Sequence, residues 1–234
     1  ARLSAAVIPG VRPLRRPVAR QRLSPPAPGA PRAAGRSLRV GLLGGSFNPA
    51  HGGHRRISLE ALKRLELDQV WWLVAPQNPL KPRRDTAPFA ARMAKAAEVA
   101  AHPRIRVSDL EARLGTRYTV DTLARLGERF ADVRFVWMMG ADNLATLHRW
   151  RRWRQLVERI PIAVFDRDPY VYSALVSVAA HRFDRARWRV DDVSGLVTAT
   201  PPAWCLLRLR THPAASSDIR AEGRWCPERM SEED

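Results

Sequence analysis

The sequence is poor in several features that mark particular classes of protein. Its two cysteines, Cys205 and Cys226, are too few for a disulfide framework or a cysteine-rich metal site, which favours a reducing, cytoplasmic compartment. No apolar run approaches the roughly 20 residues that a membrane-spanning helix needs. Lysine is scarce as well, with three lysines beside 37 arginines. A length of 234 residues with 45% hydrophobic content suits one globular α/β domain, with or without a small appendage.

Acidic residues are also too few to balance the basic ones, and the formal net charge is +17. This charge is compatible with a nucleic-acid-binding protein and with an arginine-rich enzyme that has an anionic substrate. A nucleic-acid-binding protein usually clusters basic and aromatic residues, and the nearest candidate is the segment WRRWR, residues 150–154. Outside the N-terminal segment the excess of arginine is spread along the chain, which favours the enzyme.

The first 36 residues contain eight arginines, seven prolines and no acidic residue. They show no apolar periodicity, so they cannot bury enough apolar surface to offset the entropy of ordering the chain. We predict a disordered extension over residues 1–36 and a folded domain over residues 37–234. An organelle transit peptide is an alternative interpretation, although prolines would break the amphipathic helix that such a peptide needs.

From residue 37 onward, apolar runs typical of buried strands alternate with helical patterns. The predicted strands are residues 38–43, 70–75, 105–107, 133–139, 162–165 and 204–209. The predicted helices are residues 57–67, 88–101, 119–130 and 150–159. This alternation predicts an α/β fold with a doubly wound parallel sheet covered on both faces. Ligands then bind at the carboxyl ends of the strands where strand order reverses, and Gly44, Gly45 and Gly140 are expected at that edge.

The segment GGSFNPAHGGH, residues 44–54, follows the first predicted strand and brings His51 and His54 to the start of a helix. Glycines let the backbone approach a ligand closely, and a helix N-terminus presents free N–H groups. Together they favour a phosphate site, where the imidazoles donate hydrogen bonds or carry positive charge. The competing hypothesis makes the histidines zinc ligands, but a zinc site needs a third protein ligand and no HExxH-like carboxylate accompanies them.

This segment resembles the G-x-F-x-P-x-H-x-G-H pattern of the nucleotidylyltransferase family, with Asn48 where many members carry Asp. The matching residues are Gly45, Phe47, Pro49, His51, Gly53 and His54. The resemblance implies a Rossmann-like fold that transfers a nucleoside monophosphate from a nucleoside triphosphate. It makes His51 and His54 catalytic residues that stabilise the pentacovalent transition state. The nucleotide-binding residues that it implies here are Gly44, Gly45, Ser46 and Phe47.

Later segments resemble those of bacterial nicotinate-mononucleotide adenylyltransferases. MGADNL, residues 139–144, is similar to their G-x-D-x-L segment and implies ATP contacts for Gly140 and Asp142, although an ordinary turn has the same form. Trp150 resembles a tryptophan that stacks on the nicotinate ring, with burial in the core as the alternative. Tyr118 and Thr119 resemble a Tyr-Thr dipeptide that holds the nicotinate carboxylate, although Thr119 also suits a helix N-cap.

The segment ASSDIR, residues 215–220, resembles the family's S-S-T-x-I-R signature, which closes over the ATP phosphates. It implies ATP contacts for Ser216 and Ser217 and a catalytic role for Arg220, while an alanine replaces the first serine. The loop after the second strand, residues 76–82, resembles the family's loop at this place. It implies that Lys81 reaches a phosphate of the mononucleotide, although an exposed lysine is usually only solvated. Arg92 fits the family's helix at this place, and a surface arginine explains it equally well.

The resemblance implies that the chain joins the AMP moiety of ATP to nicotinate mononucleotide and releases pyrophosphate. It implies Mg²⁺ bound together with ATP, with no metal held directly by the protein. The expected partners are the two nucleotides, with no specific nucleic acid and no membrane, and a homo-oligomer is compatible with the sequence. Transferases with phosphopantetheine or nicotinamide mononucleotide as the acceptor share the histidine motif and remain alternatives.

Overall fold

The computed structural model describes residues 36–76, 86–166, 169–209, 216–222 and 225, excluding the side chains of residues 217 and 218. These residues belong to one compact unit, Pro31–Asp234. The extension predicted over residues 1–36 lies outside the described residues apart from Arg36, whose Nη2 atom lies 2.5 Å from Asp68 Oδ1.

The fold is an α/β fold with six parallel strands in one sheet. The strands are β1 (Leu38–Gly45), β2 (Gln69–Val74), β3 (Ile105–Ser108), β4 (Val133–Gly140), β5 (Ile162–Phe165) and β6 (Trp204–Leu207). Their order is β3-β2-β1-β4-β5-β6, and every neighbouring pair is parallel. This is the predicted doubly wound sheet, in which the strand order reverses between β1 and β4. The glycines that end these two strands lie at one edge, as expected.

Nine α-helices connect or flank the strands within the described ranges. They are α1 (Gly52–Arg64), α2 (Phe89–Ala100), α3 (Leu110–Leu114), α4 (Thr119–Arg129), α5 (Ala141–Thr146), α6 (Trp153–Val157), α7 (Val171–Leu175), α8 (Val178–Arg182) and α9 (Ser216–Ala221). Three 3₁₀ segments cover Leu147–Arg149, Asp184–Ala186 and Val190–Thr198. Within the same ranges, no helix is long and apolar enough to cross a membrane.

The core is built from strands that are buried on both faces. All six residues of β2 are buried, and its two tryptophans point to opposite faces because side chains alternate along a strand. Trp71 packs edge-on against Phe130 and Phe135, with ring centroids 5.5 and 5.7 Å away. Trp72 stacks on Phe47, with centroids 5.1 Å apart. Trp72 therefore packs against the turn that follows β1.

Two predicted helices differ from those observed. Helix α1 begins at Gly52 rather than residue 57, because His51 caps its N-terminus. The helix predicted over residues 150–159 is broken: a 3₁₀ turn ends at Arg149, Trp150 is extended, and Arg152 has a left-handed φ of +50° before α6. Helices α3, α5, α7 and α8 were not predicted, since segments of five or six residues are too short to show a helical period.

Candidate active site

The turn after β1 holds an aromatic ring beneath the two histidines. Phe47 has a φ of +46°, a left-handed conformation that costs a non-glycine residue on the order of 1 kcal/mol or more. Its ring is buried against Trp72 and lies 4.8 Å from the His54 ring, centroid to centroid. Because the ring is enclosed, Phe47 can offer a ligand its backbone N–H but little of its side chain.

Both histidines use their Nδ1 atoms to cap α1. His51 Nδ1 accepts a hydrogen bond from Gly53 N–H at 3.1 Å, and His54 Nδ1 accepts one from His51 N–H at 3.2 Å. An Nδ1 atom that accepts a hydrogen bond carries no proton, so each neutral ring carries its proton on Nε2. The two rings lie 4.0 Å apart, centroid to centroid. Of the two possibilities open from the sequence, this geometry favours a pair of neutral Nε2–H donors over a pair of cations.

A buried serine ties this helix to the sheet. Ser58 Oγ donates to the carbonyl of His54 at 2.9 Å and accepts the indole N–H of Trp72 at 2.8 Å. Ser58 and Trp72 are both 0% exposed. This contact could not be predicted, because an isolated serine in a helical pattern carries no signal of its partner.

The two glycines that end β1 have different surroundings. A Cβ on Gly44 would lie 2.3 Å from Trp137 Cη2, so the tryptophan of β4 requires glycine at this position. Among the described residues, the nearest atoms to a Cβ on Gly45 would be those of Phe47, in ordinary contact from 3.6 Å. A ligand was expected to approach the backbone closely at both glycines. Gly45 leaves room for such an approach, whereas at Gly44 the packing of Trp137 explains why the residue is glycine. Gly140 ends the neighbouring β4, directly before α5.

Arg92 is not a surface residue. Its side chain is 1% exposed and lies on the same face of α2 as the buried Ala96 and Ala100. Its guanidinium donates to four carbonyl oxygens at 2.6 to 3.0 Å, those of Ser46, Ala75, Pro76 and Ala87. Burial lowers the pKa of this guanidinium, but an arginine in a protein remains protonated at neutral pH. The spacing of Arg92, Ala96 and Ala100 along one helix face is the signal that could have identified it.

The C-terminal segment lies on the histidine turn. Arg220 Nη1 donates to the carbonyl of Asn48 at 2.5 Å, and Ser216 Oγ donates to the carbonyl of Pro49 at 2.9 Å. The indole of Trp225, which the sequence analysis did not single out, donates to Asn48 Oδ1 at 3.1 Å. Asn48 Oδ1 also accepts the backbone N–H of Ala87 at 3.2 Å. In place of the acid common in the family, Asn48 thus joins three parts of the chain.

A second group of predicted residues lies at the N-terminus of α4. Tyr118 is the N-cap residue, so Thr119 is the first residue of the helix rather than its cap. The guanidinium of Arg151, which follows the half-buried Trp150, lies 4.9 Å from the centroid of the Tyr118 ring. The side chain of Arg152 pairs with Asp121 of α4. Two arginines of the WRRWR segment, Arg151 and Arg152, thus contact the first turn of α4 or its cap, although both are exposed.

A buried acid lies behind this second group. The hydroxyl of Thr122 lies 2.8 Å from that of Thr116, 3.3 Å from the carbonyl of Tyr118 and 3.4 Å from Glu111 Oε1. Burial raises the pKa of the Glu111 carboxyl to about 7, and the Thr122 hydrogen bond opposes part of that rise. The sequence alone contains no indication of this role for Glu111.

Some predicted site residues fall outside these descriptions. Lys81 and the alanine at position 215 lie outside the described residues, and Ser217 is described only by its backbone in α9. Asp142 is half-buried in the first turn of α5, and its carbonyl accepts the hydroxyl of Thr146 at 3.1 Å. Across the described part of the chain, no group of three or more His, Cys, Asp and Glu side chains could hold a metal ion.

Known proteins that are similar to this chain identify its family. Residues 42–222 match the cytidylyltransferase-like family. The "probable nicotinate-nucleotide adenylyltransferase" of Cereibacter sphaeroides is 54% identical over 186 residues, which cover 80% of this chain and 98% of that protein. Proteins with the same description in Parvibaculum lavamentivorans and a Bradyrhizobium species are each 50% identical, with 80% of this chain covered and 94% and 98% of theirs.

Solved structures share the fold at much lower identity. The nicotinic acid mononucleotide adenylyltransferase of Plasmodium falciparum complexed with NaAD is 16% identical, with a TM-score of 0.59 over 79% of this chain and 83% of that one. The same protein complexed with APC is 15% identical, with a TM-score of 0.57 and the same coverage. By its sequence relatives, this chain belongs to the nicotinate-nucleotide adenylyltransferase family of nucleotidyltransferases.

Proposed function

We propose that this enzyme transfers the adenylyl group of ATP to nicotinate mononucleotide, forming nicotinate adenine dinucleotide and pyrophosphate. The observation that carries the proposal is the pair of Nδ1-capped histidines beside the open backbone at Gly45, at the switch point of the sheet. Family membership supports the same reaction.

The reaction needs no general base. An oxygen of the acceptor's phosphate, already an anion, attacks the α-phosphorus of ATP, and the bond from that phosphorus to the bridging oxygen of pyrophosphate breaks. Catalysis then consists of positioning the two nucleotides and stabilising the charge that develops around the attacked phosphorus. The Nε2–H groups of His51 and His54 are suited to that role, since they are held in place by the cap of α1.

The leaving pyrophosphate requires donors as well. We assign Arg220 and Ser216 to this side of the site, because both already contact the histidine turn through the carbonyls of Asn48 and Pro49. A guanidinium can keep one N–H on a carbonyl and direct others to phosphate oxygens. Ser217 remains a predicted ATP contact, as do Gly140 and Asp142 on the neighbouring strand end.

The acceptor fits the second group of residues. Trp150 provides a half-buried ring for the nicotinate ring, and the first N–H groups of α4, at Tyr118 and Thr119, are available to the carboxylate. Arg151 adds positive charge next to Tyr118. Lys81 stays a predicted contact to the mononucleotide.

Mg²⁺ is the metal ion expected with ATP. Among the described residues no cluster of acidic side chains could form a protein cage for it, which suits an ion bound mainly by substrate phosphates and water. When bound, it neutralises charge on the triphosphate. The side chains of this enzyme stabilise the remaining charge on the phosphates through neutral hydrogen-bond donors and arginine.

Replacement of Trp150 tests the acceptor site. Trp150→Ala should raise the KM for nicotinate mononucleotide by about tenfold to a hundredfold, because stacking on a base-sized ring contributes about 1–3 kcal/mol. The KM for ATP should change little, and Trp150→Phe should retain most of the affinity. Steady-state kinetics with each nucleotide varied would measure both constants. An unchanged KM for the mononucleotide in a folded Trp150→Ala enzyme would assign the ring to core packing.

The acceptor itself is tested by pyrophosphate release. Purified enzyme with Mg²⁺ and ATP should release pyrophosphate far faster with nicotinate mononucleotide than with nicotinamide mononucleotide or phosphopantetheine. The three acceptors differ in the group that α4 and Trp150 would recognise, so their relative kcat/KM values report on that site. Equal or faster turnover of phosphopantetheine would overturn the proposed acceptor.

A further inference from the structure

Arg92 is a buried cation without an acidic partner in the described part of the chain. Its hydrogen bonds go to backbone carbonyls at the end of β1, the end of β2 and the start of α2. A buried charge is costly unless it is paired, and a neutral residue would fill the same space in a helix face at less cost. The guanidinium therefore serves a purpose that packing alone does not explain.

The bond from Arg92 to Ser46 fixes the direction of the next N–H group. Arg92 Nη1 lies 2.6 Å from the Ser46 carbonyl oxygen, inside the protein. The peptide between Ser46 and Phe47 is trans, so the Phe47 N–H points away from Arg92. Within the described residues this N–H donates to no acceptor, and the buried Ser46 hydroxyl has no partner there either.

Two adjacent donors that find no acceptor among the described residues are suited to bind an anion. Buried polar groups in proteins are nearly always satisfied, so each exception calls for a ligand or water. The Phe47 nitrogen lies 3.9 Å from the position that a Cβ on Gly45 would occupy, and the His54 ring lies 4.8 Å from the Phe47 ring, centroid to centroid. Arg92 holds the carbonyl that precedes this N–H, and Phe47 itself has a left-handed φ of +46°.

We propose that Arg92 is a positioning residue that holds the Ser46–Phe47 peptide with its N–H directed at the triphosphate. This inference rests on the proposed function, since it takes ATP as the ligand of the turn. Arg92 acts through the backbone and does not touch the substrate. Lysine cannot replace it, because one ammonium cannot reach carbonyls on three elements, whereas the planar guanidinium offers five donors.

The test compares Arg92→Lys and Arg92→Gln with Arg64→Lys as a matched control. Arg64 also donates to a backbone carbonyl, that of Arg208 at 2.8 Å, on an exposed part of α1. For protein shown by circular dichroism to be folded, calorimetry measures the Kd of each nucleotide separately. We expect both Arg92 variants to bind ATP about tenfold or more weakly and to lose kcat by a similar factor, as for a lost charge-assisted hydrogen bond. Their Kd for nicotinate mononucleotide, and both constants of the control, should remain near those of the native enzyme.

A role in stability alone would give a different result. It would lower the melting temperature of the Arg92 variants and leave the Kd for ATP of the folded fraction unchanged, which would overturn the proposal. If the native enzyme binds no ATP, the proposed function fails instead, and the two failures are distinct. Should neither variant fold, ¹⁵N spectra of the native enzyme decide: ATP should shift the Phe47 amide resonance strongly, nicotinate mononucleotide should not, and an unmoved resonance with ATP bound would contradict the proposal.

Discussion

His54→Ala should lower kcat on the order of 100-fold or more while the protein stays folded, as for the loss of one donor to a transition-state oxyanion. The ring is held by a cap bond through Nδ1, so its Nε2–H is fixed before the substrate arrives. Pyrophosphate release at saturating ATP and mononucleotide would measure kcat. His181→Ala, which removes an exposed histidine from the last turn of α8, is the matched control and should retain native activity.

Two amide replacements separate the cap from the catalytic donor. The side chain of His54→Asn can still accept the N–H of His51 in the manner of Nδ1, but it cannot reach the position of Nε2. His54→Gln places an amide N–H farther along the side chain, where Nε2–H was. We therefore expect kcat to be higher for His54→Gln than for His54→Asn, and the unfolding free energy to follow the opposite order. A native kcat in His54→Ala or His54→Asn would remove this histidine from the mechanism.

Glu111→Gln should make the protein more stable than the native enzyme at alkaline pH. The pKa of Glu111 is about 7 in the folded state because of burial, above the ordinary value of 4.5 that it takes when unfolded. Below pH 4.5 the carboxyl is protonated in both states and carries no penalty. As the pH rises from 4.5 to 7, only the unfolded state releases the proton, so the free energy of unfolding falls. The loss is complete above pH 7 and amounts to about 3 kcal/mol.

The glutamine side chain has no proton to release in this range, so the free energy of unfolding of Glu111→Gln does not fall in this way. The difference in unfolding free energy, variant minus native, should rise by about 3 kcal/mol between pH 4.5 and pH 8. Urea unfolding at several pH values would measure it. Glu128→Gln, at an exposed position on α4, should follow the native protein across the range. A difference for Glu111→Gln that does not change between pH 4.5 and pH 8 would show that the fold does not raise the pKa of Glu111.

All six strands could be predicted because each is a short apolar run bounded by polar, glycine or proline residues. Their alternation with helices also predicted the parallel sheet and the edge where Gly45 and Gly140 end neighbouring strands. The histidine motif could be predicted for the same reason, since its residues are contiguous in the sequence. Local pattern was sufficient for each of these features.

Long-range contacts could not be predicted in this way. The helix-face spacing can indicate that Arg92 is buried, but its partners are carbonyls from two separate loops, and no local pattern around Arg92 identifies them. The bond between Trp225 and Asn48 joins residues 177 positions apart. The break before α6 depends on one left-handed residue, Arg152, which helix propensity does not reveal. Tertiary contacts decided each of these features.

The central claim is that this site transfers the adenylyl group of ATP to nicotinate mononucleotide. Incubation of the native enzyme with Mg²⁺, the mononucleotide and ATP labelled at the α-phosphate tests it most directly, with products identified by mass spectrometry. We expect the label to enter nicotinate adenine dinucleotide and unlabelled pyrophosphate to appear in equal amount. Label found in ADP would show cleavage at the wrong phosphorus. Label found only in unreacted ATP or free AMP would contradict transfer to this acceptor.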